Sequence, residues 1–251
     1  MYIGMARKPR IHAPGSIRHL ISRGNSHQDI FEAAEEFLEF TASFGEAAKK
    51  GGMQPLSLTL MPNHWHALVK EGPIPIGEVL QSVLTKFAMR SNRRNGRDGH
   101  LFQGRYKAYL IDSDAKAKEV FRYIHKNPLR AKLVEDVSQW PWSSHREYAG
   151  LEPETTVSTA FLLSLFADDK PTAQKRYLEF MKQDSPKGVR PDMVPALDAL
   201  ARQVEQYEAF PPGTLSGDGG DSEIRRARHR FIRLAVKAGV RPVDIAAYLH
   251  I

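Results

Sequence analysis

"LTLMPNHWHALVK", Leu58 to Lys70, decides how the N-terminal half of this chain folds. Apolar residues fill both ends of the stretch and Pro62-Asn63 interrupts them, the pattern of two strands joined by a tight hairpin turn. In a strand, residues i and i+2 share a face, so His64 and His66 point one way and Trp65 and Ala67 the other. Two imidazoles on one face of an apolar strand are either polar residues at a solvated rim or ligands. Two ligands do not close a coordination shell, so a metal reading needs a third group from elsewhere.

Working outward, "SIRHLISRG" alternates and reads as a first strand ended by Gly24-Asn25. Residues 28 to 49 carry apolar positions at helical spacing and close on "KKGG", a helix C-cap signal. Residues 76 to 94 form a second amphipathic helix, "RYKAYLI" a further strand, and residues 114 to 127 a third helix stopped by Pro128. The order β-α-β-β-α-β plus a helix is that of an α+β, ferredoxin-like split β-α-β antiparallel sheet. Helices cover one face of such a sheet and leave the other to carry a site.

The chain continues as broken helical patterns over residues 151 to 212, a Pro/Gly/Asp-rich linker over 213 to 222, and a small helical segment over 223 to 251. There "PVDIAAYLHI" resembles the first half of a helix-turn-helix. The expected domains are thus 1–150, a helical extension, a linker and a small C-terminal segment.

With 251 residues, 41% of them hydrophobic, the chain can build one sizeable core and a smaller appendage. It has no cysteine, which excludes disulfides, thiol chemistry and Cys-ligated zinc. No apolar run is long enough to span a membrane, so a cytoplasmic, nucleoid-associated protein is expected. The formal charge of +7 is unevenly spread. "TKFAMRSNRRNGRDGHLFQGRYKAY" interleaves Lys86, Arg90, Arg93, Arg94, Arg97, Arg105 and Lys107 with Phe87, Phe102, Tyr106 and Tyr109, and "EIRRARHRFIR" forms a second cluster. Cations among aromatics suit a phosphate backbone with unstacked bases; two solvated helix faces would read the same.

In "EVFRYIHKNPLRAKLV", Tyr123 and Asn127 lie four apart, on one face of a helix. They could be nucleophile and amide ligand at one metal-bound phosphate, or a core tyrosine and a helix cap. His125 points elsewhere and is expected to be exposed, while His19, His100, His145 and His229 are taken as structural or exposed. "WPWSS" reads as a packing corner.

Together, "ISRGN", "MPNHWHALV", "GHLFQGRYKA", "YIHKNPLRAKLV" and "WPWSS" form an ordered set over about residues 6 to 150. This set resembles the single-tyrosine HUH transposases, specifically the REP-associated tyrosine transposases. The resemblance implies that the sheet is an HUH endonuclease core. It implies that His64, His66 and Asn127 hold a divalent cation, Mg²⁺ or Mn²⁺, and that Tyr123 attacks a DNA phosphate to give a 5′-phosphotyrosine. It implies single-stranded, hairpin-forming DNA as substrate, with Arg23, Arg105, Lys107 and Arg130 as phosphate contacts, and a monomer is slightly favoured. Lys132 stands where this pattern has a glycine. The rival readings are a non-catalytic DNA-binding protein on the same fold and a small metallohydrolase with Asp112 or Asp114 as third ligand.

Overall fold

The alternation in Leu58–Lys70 is realised as a hairpin of β2 (Gln54–Met61) and β3 (His64–Lys70) turning at Pro62-Asn63. β3 pairs antiparallel with β1 (Ile17–Arg23), and β1 with β4 (Lys107–Ile111), giving the order β2-β3-β1-β4. This is the interleaved double crossover of a split β-α-β sheet, as the sequence predicts. The computed structural model describes residues 12–183, 194–215, 222–237, 245, 246, 248 and 249. The N-terminal "MYIGMARKPR", most of the linker's Gly/Asp stretch and much of "PVDIAAYLHI" lie outside the described residues.

One sheet face is closed by α1 (Ala34–Gly51) and α2 (Ile76–Arg94). Trp65, fully buried, meets the rings of Phe40 and Phe44 at 5.5 and 6.1 Å, and Phe87 of α2 meets Phe40 edge-on at 5.3 Å. Edge-to-face packing of this kind suits aromatic quadrupoles and adds to the burial of ring area. The same two helices are bridged at their surface. Arg94 donates to Glu36 at 2.7 Å and Glu39 at 2.9 Å, and Arg90 to Glu39 at 2.7 Å. Burial pushes the Glu36 carboxyl up, but hydrogen bonds from the Glu32 and Ala33 amides and from Arg94 outweigh it and hold the group ionised.

α1 begins at Ala34, later than its periodicity suggests. Ile30 and Phe31 are buried, yet both donate their backbone N–H to the Pro62 carbonyl, at 2.7 and 3.0 Å. Those donors brace the hairpin turn instead of entering the helix. Gly24 has a matching role: its N–H donates to Asn63 at 2.9 Å, and a Cβ there would run into the Gln28 carbonyl.

The contacts divide the chain into two units, the residues up to Asp112 with Ile124–Tyr177, and Ser113–Tyr123 with those from Leu178 on. In the first, α4 (Asn127–Arg130), α5 (His145–Tyr148), α6 (Ala160–Ser164) and most of α7 (Lys170–Lys182) join the sheet. Residues 142–144 run along the outer edge of β2: Leu60 N–H donates to Trp142 at 2.8 Å and Ser144 N–H to Leu58 at 2.9 Å. That pairing covers a sheet edge that would otherwise be open to association. In the second, α8 (Val194–Tyr207) and α9 (Ser222–Lys237) pack Leu197, Ala201 and Val204 against Ala227, Phe231 and Ala235. Among the described residues no helix is long and apolar enough to cross a membrane.

α3 (Asp114–His125) ends earlier than expected, and Pro128 does not stop a helix but sits in the first turn of α4. Proline is tolerated there because first-turn amides have no intrahelical acceptor. α4 closes with Lys132 N–H donating to Leu129 and Leu133 N–H to Pro128, each at 3.0 Å, and with Lys132 at φ +57°. This is a Schellman closure, whose left-handed position favours glycine. Lysine holds the turn at a steric cost, so Lys132→Gly should leave the fold intact and raise stability by up to about 1 kcal/mol in urea titration.

Candidate functional site

The face of the sheet opposite Trp65 carries His64 and His66, with ring centroids 5.0 Å apart and planes perpendicular. His64 is half-exposed at the start of β3, and His66 is buried one step further in. His64 Nδ1 lies 2.6 Å from the Asn63 side-chain oxygen. An amide oxygen only accepts, so Nδ1 is the donor and the imidazole lone pair sits on Nε2. His66 Nδ1 lies 3.0 Å from Nε2 of His19, a residue of β1 that is fully buried. The two rings are near-parallel, 5.2 Å apart. Burial pushes the His19 imidazole down to about 3. Burial, then the charges of His64, His19 and Arg23, push His66 well below its ordinary value. Both therefore stay neutral at physiological pH, the form in which imidazole can ligate a metal.

Sheet register sets the neighbours. Arg23 faces His64 across the β1–β3 ladder, and Ile21 faces both His66 on one side and Lys107 on the other. Directly paired residues share a face, so Arg23 and Lys107 flank the histidine pair, both exposed. Arg105 is exposed in the loop before β4, and Arg130 is exposed at the end of α4. Asn127 opens α4 and is buried within the same unit as the pair. Tyr123 is nearly buried in the part of α3 that groups with the second unit. The backbone remains right-handed helical at Lys126, between α3 and α4.

Among the described residues no group of three or more His, Asp or Glu is arranged to hold a metal. A metallohydrolase would want such a group, completed by Asp112 or Asp114. An ion held by His64 and His66 would need its other ligands from amide, water or phosphate oxygens. Two imidazoles with oxygen donors suit Mn²⁺ and accommodate Mg²⁺, so the residues present fit either ion.

His125 is not exposed, contrary to its sequence reading; it is completely buried. Its Nε2 lies 3.0 Å from Ser57 Oγ and 2.9 Å from Ser144 Oγ, and its Nδ1 2.7 Å from the Tyr177 hydroxyl. The same hydroxyl is 2.5 Å from His145 Nδ1, so it donates to one imidazole and accepts from the other. This buried cluster ties the end of α3 to β2 and to the residues that follow "WPW". The aromatics of the basic segment also need correcting. Phe87 and Tyr106 are core residues and offer no face to a base, whereas Phe102 and Tyr109 are half-buried. The cations divide likewise, since Arg90, Arg94 and Arg97 pair with acids of α1 and the residues before it. "WPWSS" is a packing corner as read: Trp142 stacks on Phe37 at 4.7 Å and Trp140 Nε1 donates to Leu60 at 2.8 Å.

Residues 15–127 match the family model of the IS200-like transposases. The match takes in all four strands of the sheet, His64, His66, Tyr123 and Asn127, and bears out the resemblance read from the motifs. A Haemophilus influenzae protein provisionally named a REP-associated tyrosine transposase is 26% identical over 129 residues, covering 46% of this chain and 73% of the relative. Among solved structures, a REP-associated tyrosine transposase bound to a REP hairpin aligns with a TM-score of 0.46 at 18% identity, over 62% of this chain and 93% of the other. A Deinococcus radiodurans protein provisionally named a transposase aligns with a TM-score of 0.33 at 19% identity, over 48% of this chain and 97% of the other.

His19 and Asn63 are polar partners of the pair that the sequence reading missed. Asn63 had a signal, since it adjoins His64. His19 had none, because its approach to His66 depends on the β1–β3 register.

The buried cluster makes stability depend on pH. Burial, reinforced by Arg146 and opposed by Asp136, lowers His145 from its ordinary 6.5 to about 4. A folded value below the unfolded one favours the neutral form. Its contribution is therefore complete above about pH 6.5 and is lost as pH falls toward 4, by up to about 3 kcal/mol. Urea unfolding between pH 7.5 and 4.5 should show this decline, and His145→Gln should flatten it.

Proposed function

We propose that this chain is a divalent-metal-dependent single-strand DNA endonuclease and strand transferase that works through a 5′-phosphotyrosine intermediate on hairpin-forming palindromic DNA. The observation that carries the reading is the histidine pair. Two imidazoles, one held at Nδ1 by Asn63, stand between Arg23 and Lys107 on the sheet face opposite Trp65, inside the segment that matches the transposase model. The motifs and the relative's name support a REP-like palindrome as the substrate.

In this reading His64, His66 and Asn127 hold the ion. When bound, it neutralises charge on the scissile phosphate and makes phosphorus more electrophilic. Tyr123 supplies the nucleophile. Its phenol oxygen forms a bond to phosphorus while the bond from phosphorus to the 3′ oxygen breaks, and the proton lost by the phenol is matched by one taken up at the leaving 3′ oxygen. A phenol of ordinary pKa about 10 is a weak nucleophile at neutral pH, so nearby positive charge has to favour its deprotonation. Arg23, Arg105, Lys107 and Arg130 contact the phosphates of the strand. The tyrosyl phosphodiester keeps the energy of the broken linkage, and a 3′ hydroxyl can then reseal it without a nucleotide cofactor.

Labelled hairpin single strands incubated with Mn²⁺ should give a covalent protein–DNA adduct on a denaturing gel. Chelation or Tyr123→Phe should abolish it, and His64→Ala should reduce its rate by about 100-fold or more. An adduct that survives Tyr123→Phe would overturn the mechanism, and metal-dependent cleavage with no adduct at all would point to an activated water instead.

A further inference from the structure

We propose that His19 is a positioning residue for the metal site: it accepts a hydrogen bond from His66 Nδ1 and so selects the His66 tautomer whose Nε2 can ligate a divalent ion. The inference rests on the metal reading above and adds to it a residue that touches neither metal nor DNA.

The two histidines of β3 are held differently. His64 faces an amide oxygen, which can only accept, so its Nδ1 carries the proton whatever else occupies the site. His66 faces another imidazole, and Nε2 of His19 can be donor or acceptor. Two neutral imidazoles share a hydrogen bond in either of two arrangements. If His19 Nε2–H donates, His66 carries its proton on Nε2 and cannot ligate through that atom. If His66 Nδ1–H donates, the His66 lone pair lies on Nε2 and the His19 proton on Nδ1. Only the second arrangement matches His64, so that both imidazoles present the same nitrogen. An ion taken up at His66 therefore selects a tautomer of His19, although His19 lies beyond the ligands.

The placement argues against simple packing. His19 sits opposite Leu68 on one strand and Tyr109 on the other, with no exposed surface. An apolar side chain would fill that position at lower desolvation cost, since a buried imidazole forfeits hydration that only a good partner offsets. His66 lies within hydrogen-bonding reach, at 3.0 Å. Second-layer groups of this sort are usually carboxylates or carbonyls. An imidazole acceptor adds no negative charge, which leaves a bound ion more electrophilic toward phosphate.

The test is Mn²⁺ binding to the full chain without DNA, followed by the electron paramagnetic resonance signal of unbound Mn²⁺, with folding checked by circular dichroism. His19→Gln keeps an oxygen that can accept from His66 and should bind within about threefold of the wild type. His19→Leu keeps bulk but no acceptor and should bind 10- to 100-fold more weakly, the usual size of a second-layer effect. Wild-type affinity in His19→Leu, or equal loss in both folded variants, overturns the proposal. If His19→Leu does not fold, long-range ¹⁵N NMR of the Mg²⁺-loaded wild type decides: a proton on His19 Nδ1 supports the inference and one on its Nε2 overturns it. His64→Ala separates the two readings. Should the wild type bind no Mn²⁺, or bind it unchanged by His64→Ala, the metal reading falls and this inference with it. Should His64→Ala abolish binding while His19→Leu does not, only the role of His19 falls.

Discussion

Pairing Ile21 with His66 in the antiparallel β1–β3 ladder constrains nearly everything else in the sheet. Side chains alternate with a period of two, so this one register assigns each residue of β1 and β3 to a face. It puts Trp65 beneath α1 and α2 and His64 and His66 on the opposite side. It brings Arg23 level with His64, and through β4 it adds Lys107 to the same face. A slip of one residue in β3 would turn Trp65 away from α1 and α2 and carry the two imidazoles to the helix-covered face.

The loops around that ladder are built to hold it. The hairpin turn at Pro62-Asn63 receives backbone donors from Gly24, Ile30 and Phe31. The "GHLFQG" segment docks beside it, with Asn25 N–H donating to Leu101 at 2.8 Å and Gln103 N–H to Arg23 at 2.9 Å. Motifs that look separate along the chain are therefore neighbours around the end of β1 and the start of β3. A site built on strands and braced turns can hold its side chains within a narrow positional tolerance.

Buried histidine is the other theme. His19, His125 and His145 are each enclosed, yet each has a polar partner in reach, namely His66, Ser57 with Ser144, and Tyr177. The two clusters are distinct in kind. The one around Tyr177 is closed to solvent and fastens chain segments together. The one around His66 opens through His64 to the sheet face, where ligand chemistry is possible.

By itself the sequence determined the strand and helix order, the turn at Pro62-Asn63 and the shared face of His64 and His66, and through its family motifs it marked Tyr123 and Asn127 as candidates. These follow from periodicity and from motifs, which are local. It even marked Lys132 as out of place, and the backbone there does adopt the left-handed conformation that glycine favours. Only the tertiary structure decided that His125 is enclosed, that Phe87 and Tyr106 belong to the core, that several arginines are paired to α1, and that His19 meets His66. Each of those depends on contacts between residues far apart in the chain, 47 positions in the case of His19 and His66, and no local pattern encodes which distant partner a buried side chain will find.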